Sequence, residues 1–376
     1  MDSHGRVPIE QKNMFRLQLV REYLKASQLS TELSEFYQGR NILVTGGCGA
    51  IGSNLVVALS ELVSDSGLVV VLDNLSAIRG SAPWNLPMLS NVLFVEGDVR
   101  SEVDLKRVFR EKPDMVFHLA AFFANQNSVD FPETSAEVDI LALVKLLDLS
   151  VLSNVERFIY ASSGCAIYGS YPKLPVTEDS ISMHLTTPYQ INKMTGEMYC
   201  NYYHHHYGLA ATKCRFFNSY GPGEVPGRYR NVIPNFIYWA KSGAPLPITG
   251  DGEATRDFTY VLDLVQGLLR AGYSEDAIGE CFNLASGQEQ SIGELAKTIN
   301  NLAGNAAGIY YSDRRRWDTK TRMWASVEKA RKQLGYQPLV QIQEGLNKNL
   351  EWFQLFAEEI ESSVDFPPGL SPALKK

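Results

Sequence analysis

The amino-acid sequence predicts an α/β fold, a doubly wound parallel sheet followed by a smaller mixed α/β part. Between residues 41 and 207, short and continuously apolar segments alternate with helix-like segments, a pattern typical of parallel strands covered on both faces. Glycine, aspartate or serine follows most of these apolar segments. Ligands bind at the carboxyl ends of such strands, so these residues predict a binding site there.

The strands and helices of the sheet region follow in order from these patterns. Because a crossover between parallel strands is right-handed, the intervening helices cover both faces of one sheet. The predicted strands are 41–45, 68–72, 92–96, 115–119 and 157–161, and the predicted helices are 53–63, 101–110, 136–153 and 188–207. Later elements are predicted at 232–241, 258–270, 282–284, 292–302 and 342–359.

Changes in composition indicate how the chain is divided. Residues 10–37 have an amphipathic helical pattern, with apolar side chains at every fourth position in Phe15, Leu19 and Tyr23, so we expect residues 1–40 to be a helical N-terminal extension that packs on the fold or contacts a second copy. Residues 219–255 are rich in glycine and proline. The predicted units are a sheet domain at 41–218 with returning segments at about 256–285, a second domain formed by 219–255 and 286–365, and a loose tail at 366–376.

Bulk composition argues against several classes of function. The 376-residue chain has a net charge of −7 and an isoelectric point near 5.5, so nucleic acid is not expected as a partner. The sequence contains neither an apolar stretch of about 20 residues to span a membrane nor a secretory signal. Five scattered cysteines predict reduced thiols in a cytoplasmic protein. The histidines at 204–206 diverge on a helix, so no metal site is predicted.

A glycine-rich turn after the first strand predicts a dinucleotide site. Residues 46–52 read GGCGAIG, a spacing that lets the backbone turn tightly and approach a pyrophosphate at a helix N-terminus. Asp73 lies 21 residues after Gly52, at the end of the second strand, where a carboxylate accepts from ribose hydroxyls and repels a 2′-phosphate. This favours NAD, although Arg79 offers a contact for the 2′-phosphate of NADP.

Tyr189 and Lys193 form the candidate catalytic pair. They lie four residues apart on a predicted helix and therefore share a face. A tyrosine has a pKa of about 10 and is a poor base at neutral pH, but a neighbouring ammonium and a positive nicotinamide ring would stabilise the phenolate. The phenolate can then accept the proton of a substrate alcohol while hydride leaves the same carbon.

Together these residues resemble the extended short-chain dehydrogenase/reductase family, and specifically its NAD-dependent nucleotide-sugar epimerase/dehydratase branch. The likeness extends from about Asn41 to about Trp352. Its motifs are VTGGCGAIGSNL, VVLDNLS, EGDVR, FHLAA, IYASSGCAIYG, PYQINK, RFFNSYGPG, GDGEATRDFTYVLD and FNLASG. The resemblance implies that the sheet domain is an NAD-binding Rossmann domain and that the second domain binds a nucleotide-diphosphate sugar.

The resemblance also implies roles for individual residues. It makes Tyr189 the proton-transferring residue and Lys193 its partner. The residues implied for NAD are Gly46, Gly49, Ala50, Ile51, Gly52, Asp73, Asn74, Asp98, Val99, Leu119 and Ala120, together with Tyr189 and Lys193. The residues implied for the substrate are Asn218, Asn231 and Val232, with Arg256 and Arg315 as clamps on its diphosphate.

The third catalytic residue departs from the family pattern. The family has a Ser or Thr four residues before the tyrosine of its Tyr-Gly dipeptide, and that position here is Gly164. Counting from the end of the fifth strand selects Ser163 instead, and an extra residue in the turn would reconcile the two counts. We therefore predict Ser163 as the contact to the sugar hydroxyl, with Cys165 as the weaker alternative because a thiol is a poor hydrogen-bond donor.

The positions after Ser163 help to choose among reactions. Dehydratases of this branch have an Asp-Glu pair there and decarboxylases have a Glu, whereas this chain has Cys165-Ala166. The resemblance thus implies a nucleotide-sugar 4-epimerase that works by transient oxidation at the sugar C4. The alternatives are a 4-dehydrogenase, an atypical dehydratase, a ketosugar reductase and a non-catalytic NAD-binding scaffold. Family members often pair through the helices predicted at 136–153 and 188–207, which implies a homodimer.

Overall fold

The first half of the chain alternates strands with helices, as the sequence predicts. The structure is a computed structural model and describes residues 7–79, 82–169, 173–314 and 320–366. The elements of this half are α1 Ile9–Ala26, α2 Leu29–Glu32, α3 Ser34–Tyr37, β1 Asn41–Thr45, α4 Ala50–Val63, β2 Leu68–Asp73, β3 Val92–Glu96, α5 Glu102–Phe109, β4 Met115–His118, α6 Asn125–Asp130, α7 Pro132–Ala136, α8 Ala142–Leu152, β5 Arg157–Ser163, α9 Gly164–Ile167, α10 Pro188–Tyr207 and β6 Ala211–Phe216.

The second half has shorter strands between its helices. Three two-stranded pairs, β7 with β10, β8 with β13 and β9 with β12, lie outside the main sheet. The elements are β7 Ser219–Tyr220, α11 Val232–Lys241, β8 Leu246–Thr249, β9 Thr255–Arg256, β10 Thr259–Tyr260, α12 Val261–Tyr273, β11 Cys281–Leu284, β12 Gln290–Ser291, α13 Ile292–Ala303, β13 Ile309–Ser312, α14 Glu328–Leu334, α15 Ile342–Leu355 and α16 Ala357–Ser363.

The main sheet has seven strands in the order β11-β6-β5-β4-β1-β2-β3, and every neighbouring pair is parallel. Alternate residues of β1 and β2 belong to two buried apolar clusters, one on each face. The strand order reverses between β1 and β4, which creates the crevice where doubly wound folds bind ligands. The predicted fold is therefore confirmed, while the division into two domains stays a prediction.

The N-terminal extension differs from the single helix predicted at 10–37. It forms α1, α2 and α3. The first helix ends at Ala26, and Gln28 adopts a left-handed φ of 61° before α2 begins. The apolar face of α1 packs on α4 and α12 of the same chain. The extension is therefore part of the fold. Among the described residues, no helix combines the length and the apolar character needed to cross a membrane.

Several element boundaries also differ from the predicted ones. α4 begins at Ala50, directly after the glycine turn, because the turn itself starts the helix. The predicted helix at 136–153 is a π-helical turn, Glu137–Leu141, followed by α8. The predicted helix at 342–359 is divided into α15 and α16. Of the predicted loose tail, Phe366 packs against the Tyr238 and Trp239 rings, and residues 367–376 lie outside the described residues.

Candidate active site

A cavity of about 570 Å³ lies at the carboxyl ends of the central strands. Its lining includes the glycine turn, the ends of β2, β4, β5 and β6, and the start of α10. The segment 218–231 also contributes to the lining. The predicted site residues brought together here are Gly46, Gly49, Ala50, Ile51, Gly52, Asp73, Asn74, Asp98, Val99, Leu119, Ala120, Ser163, Tyr189, Lys193, Asn218, Asn231 and Arg256.

Two predicted substrate residues are not among those that line the cavity. Val232 is the first residue of α11 and packs against the apolar core. Arg315 lies outside the described residues. Its neighbour Arg314 pairs with Asp251, with 3.0 Å between Nη2 and Oδ1.

Close backbone approach shapes the glycine turn. Gly46 adopts a φ of 73°, and a Cβ there would lie 2.7 Å from the backbone N of Ala120. A Cβ on Gly52 would lie 2.1 Å from the carbonyl oxygen of Gly46. Glycine fits both positions without moving the backbone, so the turn brings the N-terminus of α4 to the cavity. Ala50 and Ile51 line the cavity at that point, and a helix N-terminus favours a pyrophosphate.

Asp73 ends β2 and is held there by its neighbours. Its Oδ2 accepts from the backbone N of Cys48 and its Oδ1 from that of Leu75, each at 2.8 Å. Burial raises the pKa of Asp73, and these two N–H groups oppose that shift. Arg79, the alternative contact for a 2′-phosphate, pairs with Asp365 and is not among the cavity-lining residues. The residues present therefore fit NAD, with a carboxylate at the end of β2.

Asp98 extends this polar edge beyond β3. Its Oδ2 accepts from the Asn74 amide at 3.1 Å and lies 2.8 Å from Nη2 of Arg100. The Arg100 guanidinium lowers the pKa of the Asp98 carboxyl to about 2. Arg100 also lines the cavity, so Asp98 stays ionised and fixed beside the dinucleotide site. The sequence analysis did not select Arg100.

Tyr189 and Lys193 lie one turn apart on α10, almost wholly buried, and both line the cavity. The Lys193 Nζ donates to the carbonyl oxygen of Ala161 at 2.8 Å and lies 5.7 Å from the centre of the Tyr189 ring. Thr187 caps α10 by accepting from the backbone N of Gln190. The cap and the Ala161 contact together fix both side chains against the end of β5.

Burial dominates the acidity of both groups. It raises the pKa of Tyr189, Asp139 raises it further, and the Ser163 hydroxyl opposes the shift. Burial lowers the pKa of Lys193, and Asp139 opposes that shift. The lowered pKa predicted for Tyr189 is therefore not a property of the protein alone, because burial desolvates the phenolate and the Ser163 hydroxyl offsets only part of that shift.

Asp139 is a buried carboxylate that the sequence analysis missed. It lies in the π-helical turn, and such turns occur often at functional sites. Its oxygens accept from the backbone N of Phe122 at 2.9 Å and from the Ser135 hydroxyl at 3.0 Å. Ser135 in turn accepts from the Asn192 amide of α10 at 2.9 Å. These hydrogen bonds link α10, which carries Tyr189 and Lys193, to the cavity-lining residue Phe122.

The structure at the end of β5 bears on whether Ser163 or Gly164 occupies the third catalytic position. β5 extends to Ser163, which lines the cavity. Gly164 is buried, and a Cβ there would lie 2.1 Å from the ring of Phe217. Cys165 lines the cavity, where its sulfur accepts from the Asn218 amide at 3.3 Å. This geometry favours Ser163 over Gly164.

Basic side chains line the cavity although the chain as a whole is acidic. Arg228, Arg230 and Lys320 join the predicted Arg256, and Nη2 of Arg256 donates to the Lys320 carbonyl at 3.1 Å. Arg228 and Arg230 lie three residues and one residue before Asn231, so their proximity to a predicted substrate residue could have identified them. Lys320 is distant in sequence from the others and gives no local signal.

Asn231 is held by Glu224, another residue that the sequence analysis missed. The Asn231 amide donates to Oε1 of Glu224 at 2.9 Å. Burial raises the pKa of Glu224 to about 7. Among the described residues, no cluster of three or more His, Cys, Asp or Glu side chains could hold a metal ion.

Comparison with known proteins places this chain in a family. The model of the NAD dependent epimerase/dehydratase family matches residues 42–285. A curated UDP-glucose 4-epimerase from Mycolicibacterium smegmatis is 34% identical over 313 residues, which are 83% of this chain and 98% of that protein.

Two solved structures share the architecture. Epimerase Mth375 from Methanothermobacter thermautotrophicus is 50% identical with a TM-score of 0.87, covering 90% of this chain and 99% of that one. UDP-glucose 4-epimerase from Thermotoga maritima, solved with UDP-glucose, is 34% identical with a TM-score of 0.78, covering 85% and 100%. The chain therefore belongs to the NAD-dependent epimerase/dehydratase family of enzymes.

Proposed function

We propose that this enzyme is a UDP-sugar 4-epimerase that works by transient oxidation at the sugar C4. The observation that carries the proposal is the meeting of Tyr189, Lys193 and Ser163 in one cavity with the glycine turn and a set of basic side chains. Two of the three relatives named above, those from Mycolicibacterium smegmatis and Thermotoga maritima, are UDP-glucose 4-epimerases by their descriptions. We also propose that residues 41–218 hold NAD and that residues 219–255 and 286–365 bind the nucleotide sugar.

The chemistry assigned to the protein is movement of one proton at the C4 oxygen. NAD, when bound, supplies the acceptor for the C4 hydride and the donor that returns it. Tyr189 accepts the C4 hydroxyl proton as the C4–H bond breaks and gives it back when the bond re-forms. Lys193 provides a positive charge beside the phenol, and Ser163 orients the hydroxyl. Inversion at C4 would follow if the 4-keto sugar presented its opposite face to the returning hydride, with Tyr189 giving the proton back to the C4 oxygen.

The basic set suits the diphosphate of the substrate. An arginine fork binds phosphate oxygens in pairs, and its charge persists at all physiological pH values. Arg256 is the proposed clamp, with Arg228, Arg230 and Lys320 lining the same cavity. Asn218 and Asn231, the predicted substrate contacts, line the same cavity. These cations concentrate positive charge locally, which permits an anionic substrate despite the net charge of −7.

A panel of nucleotide sugars tests the proposal. The purified protein is incubated with UDP-glucose, UDP-N-acetylglucosamine, UDP-glucuronic acid and their GDP and dTDP counterparts, and products are identified by NMR. We expect a C4-inverted UDP-sugar without net accumulation of NADH at 340 nm. Accumulating NADH would instead indicate a 4-dehydrogenase, loss of water a dehydratase, and no conversion of any sugar a binding scaffold.

Mutation can distinguish the contribution of Ser163 to turnover from that of Cys165. Replacing Ser163 by Ala is expected to lower turnover at least about tenfold, because loss of one oriented hydrogen bond in the transition state costs about 1.4 kcal/mol. The Cys165→Ala variant is the matched control and should keep most of the wild-type rate. Steady-state kinetics with the substrate found in the panel would measure both variants. The reverse ranking would assign the hydroxyl contact to Cys165.

Asp139 gives a prediction for the pH profile. Its negative charge raises the pKa values of both Tyr189 and Lys193, so Asp139→Asn should lower both. The active form has Tyr189 deprotonated and Lys193 protonated, and both limbs of the turnover profile should therefore move to lower pH. The other ionisable groups that act on the pair remain in place: Cys165, Cys200 and Glu197. An unshifted profile would contradict this electrostatic role.

We propose that the enzyme is a homodimer paired through α8 and α10. Ile191, Met198 and Tyr202 form an exposed stripe on α10, and Leu141 and Leu152 are exposed at the two ends of the neighbouring α8 region. Such a surface fits a second copy of the chain. Light scattering should show a dimer that Met198→Glu weakens, whereas Met88→Glu, at an exposed position elsewhere, should not. A monomeric wild-type protein would contradict the pairing.

The five cysteines are free thiols, which supports the proposed cytoplasmic location.

A further inference from the structure

The N-terminal extension places a buried arginine next to the glycine turn. Arg16 of α1 is only 1% exposed. Its Nη1 donates to Oδ1 of Asn85 at 3.1 Å, and its Nη2 donates to the Ser53 hydroxyl of α4 at 3.0 Å. The family match begins at residue 42, so this contact comes from a segment that precedes the matched region.

Asn85 connects Arg16 to two backbone segments by hydrogen bonds. Its amide donates to the carbonyl oxygen of Cys48 in the glycine turn at 3.0 Å and to that of Gly223 at 2.8 Å. A parallel link joins α4 to the same segment, because the Asn54 amide donates to the Pro222 carbonyl at 2.7 Å. Gly223 directly precedes Glu224, which holds Asn231. Arg16 thus contacts a network that joins the glycine turn to the 218–231 wall of the cavity.

We propose that α1 braces the glycine turn and that Arg16 is the positioning residue through which it supports NAD binding. The inference rests on the proposed assignment of the glycine turn to NAD. Two physical effects contribute to it. The hydrogen bonds to Ser53 and Asn85 restrict the turn and the start of α4, which reduces the ordering that NAD binding must cause. The guanidinium also adds positive charge near the α4 N-terminus, where a pyrophosphate is favoured.

The charge persists under physiological conditions. Burial lowers the pKa of Arg16 to about 10, which still leaves it protonated near neutral pH. Among the described residues, Arg16 has only neutral hydrogen-bond partners, and its Nε has none. The positive charge is therefore not neutralised by a direct carboxylate contact.

Other anchors of α1 allow the positioning role to be separated from general stability. Lys12, also buried, pairs with Glu359 of α16. Tyr23 donates to the carboxylate of Asp263 on α12. Neither contact reaches the glycine turn. A variant at Lys12 therefore weakens the attachment of α1 without removing the Arg16 network.

Calorimetric titration of NAD into the full-length protein, freed of bound nucleotide, tests the inference. Arg16→Met is expected to raise the dissociation constant for NAD about tenfold, because NAD binding must then order the turn and lacks the nearby positive charge. Arg16→Lys should recover part of the affinity because it retains the charge. Lys12→Met should lower Tm while leaving the dissociation constant within about twofold of the wild-type value.

Two results would contradict the proposed role of Arg16 in NAD binding. One is a wild-type NAD affinity in folded Arg16→Met, and the other is an equal loss of affinity in Lys12→Met. If Arg16→Met does not fold, Ser53→Ala removes one acceptor of the guanidinium and should still weaken NAD binding severalfold; an unchanged affinity would reject the inference. The titration contains no nucleotide sugar, so its result is independent of whether the epimerase activity is found.

Discussion

Replacing Tyr189 by Phe is expected to lower turnover about 10³-fold, within the range lost when a general acid–base group is removed. The substitution deletes only the phenolic oxygen, so the ring stays in its buried place on α10, where it packs edge-on at 6.0 Å from the Phe123 ring. NAD affinity should change little, because the glycine turn and Asp73 remain intact. Single-turnover kinetics and NAD titration on the same preparation would measure the two effects separately.

Tyr160 provides a matched control for this experiment. It is a second buried tyrosine, with its ring 5.1 Å from the Lys193 Nζ. Its hydroxyl has no hydrogen-bond partner among the described residues and does not line the cavity. Tyr160→Phe should therefore keep most of the wild-type turnover. A Tyr189→Phe variant as active as Tyr160→Phe would show that the phenolic oxygen does not move the proton.

Replacing Arg215 by Met is expected to destabilise the fold by about 3–5 kcal/mol, the cost of leaving a buried charge without its partner. Arg215 forms a bidentate pair with Glu197, at 2.9 Å and 2.7 Å, with both side chains almost wholly buried. Glu197 also accepts from the Ser162 hydroxyl, next to Ser163. The guanidinium further donates to the Tyr168 hydroxyl at 2.9 Å. The pair thus joins β6, α10 and the end of β5 behind the site.

Urea unfolding followed by circular dichroism would measure this loss. Arg21→Met is the control, because the Arg21–Glu61 pair is exposed and a surface pair contributes about 1 kcal/mol or less. The double variant Arg215→Met with Glu197→Leu should recover part of the stability, since it also removes the unpaired carboxylate. Equal losses for Arg21→Met and Arg215→Met would contradict the importance assigned to the buried pair.

The sheet and the dinucleotide site could be predicted because their signals are local. Glycine at 46, 49 and 52 and a carboxylate at 73 each follow an apolar strand, and parallel strands place their carboxyl ends along one edge. Tyr189 and Lys193 likewise required only helical spacing. The prediction of Ser163 required a choice between two ways of counting, one of which selects Gly164. The length of β5 and the packing of Gly164 against Phe217 favour Ser163.

Other parts of the site depend on long-range packing that sequence spacing does not contain. Lys320 reaches the cavity from a distant segment, and its Nζ donates to the Cys165 carbonyl. The proposed role of α1 depends on the contact between Arg16 and Ser53, which lie 37 residues apart in the sequence. The acidity of Tyr189 also depends on burial and on Asp139 in a π-helical turn, neither of which an amphipathic pattern predicts.

We propose that the C4 hydrogen leaves as hydride and returns to the same carbon without exchange with solvent. Conversion of the UDP-sugar substrate in D2O, followed by NMR of the product, measures whether such exchange occurs. We expect a C4-inverted product that retains protium at C4. Deuterium at C4, or a purified protein that inverts C4 in none of the UDP-sugars, would rule out this mechanism.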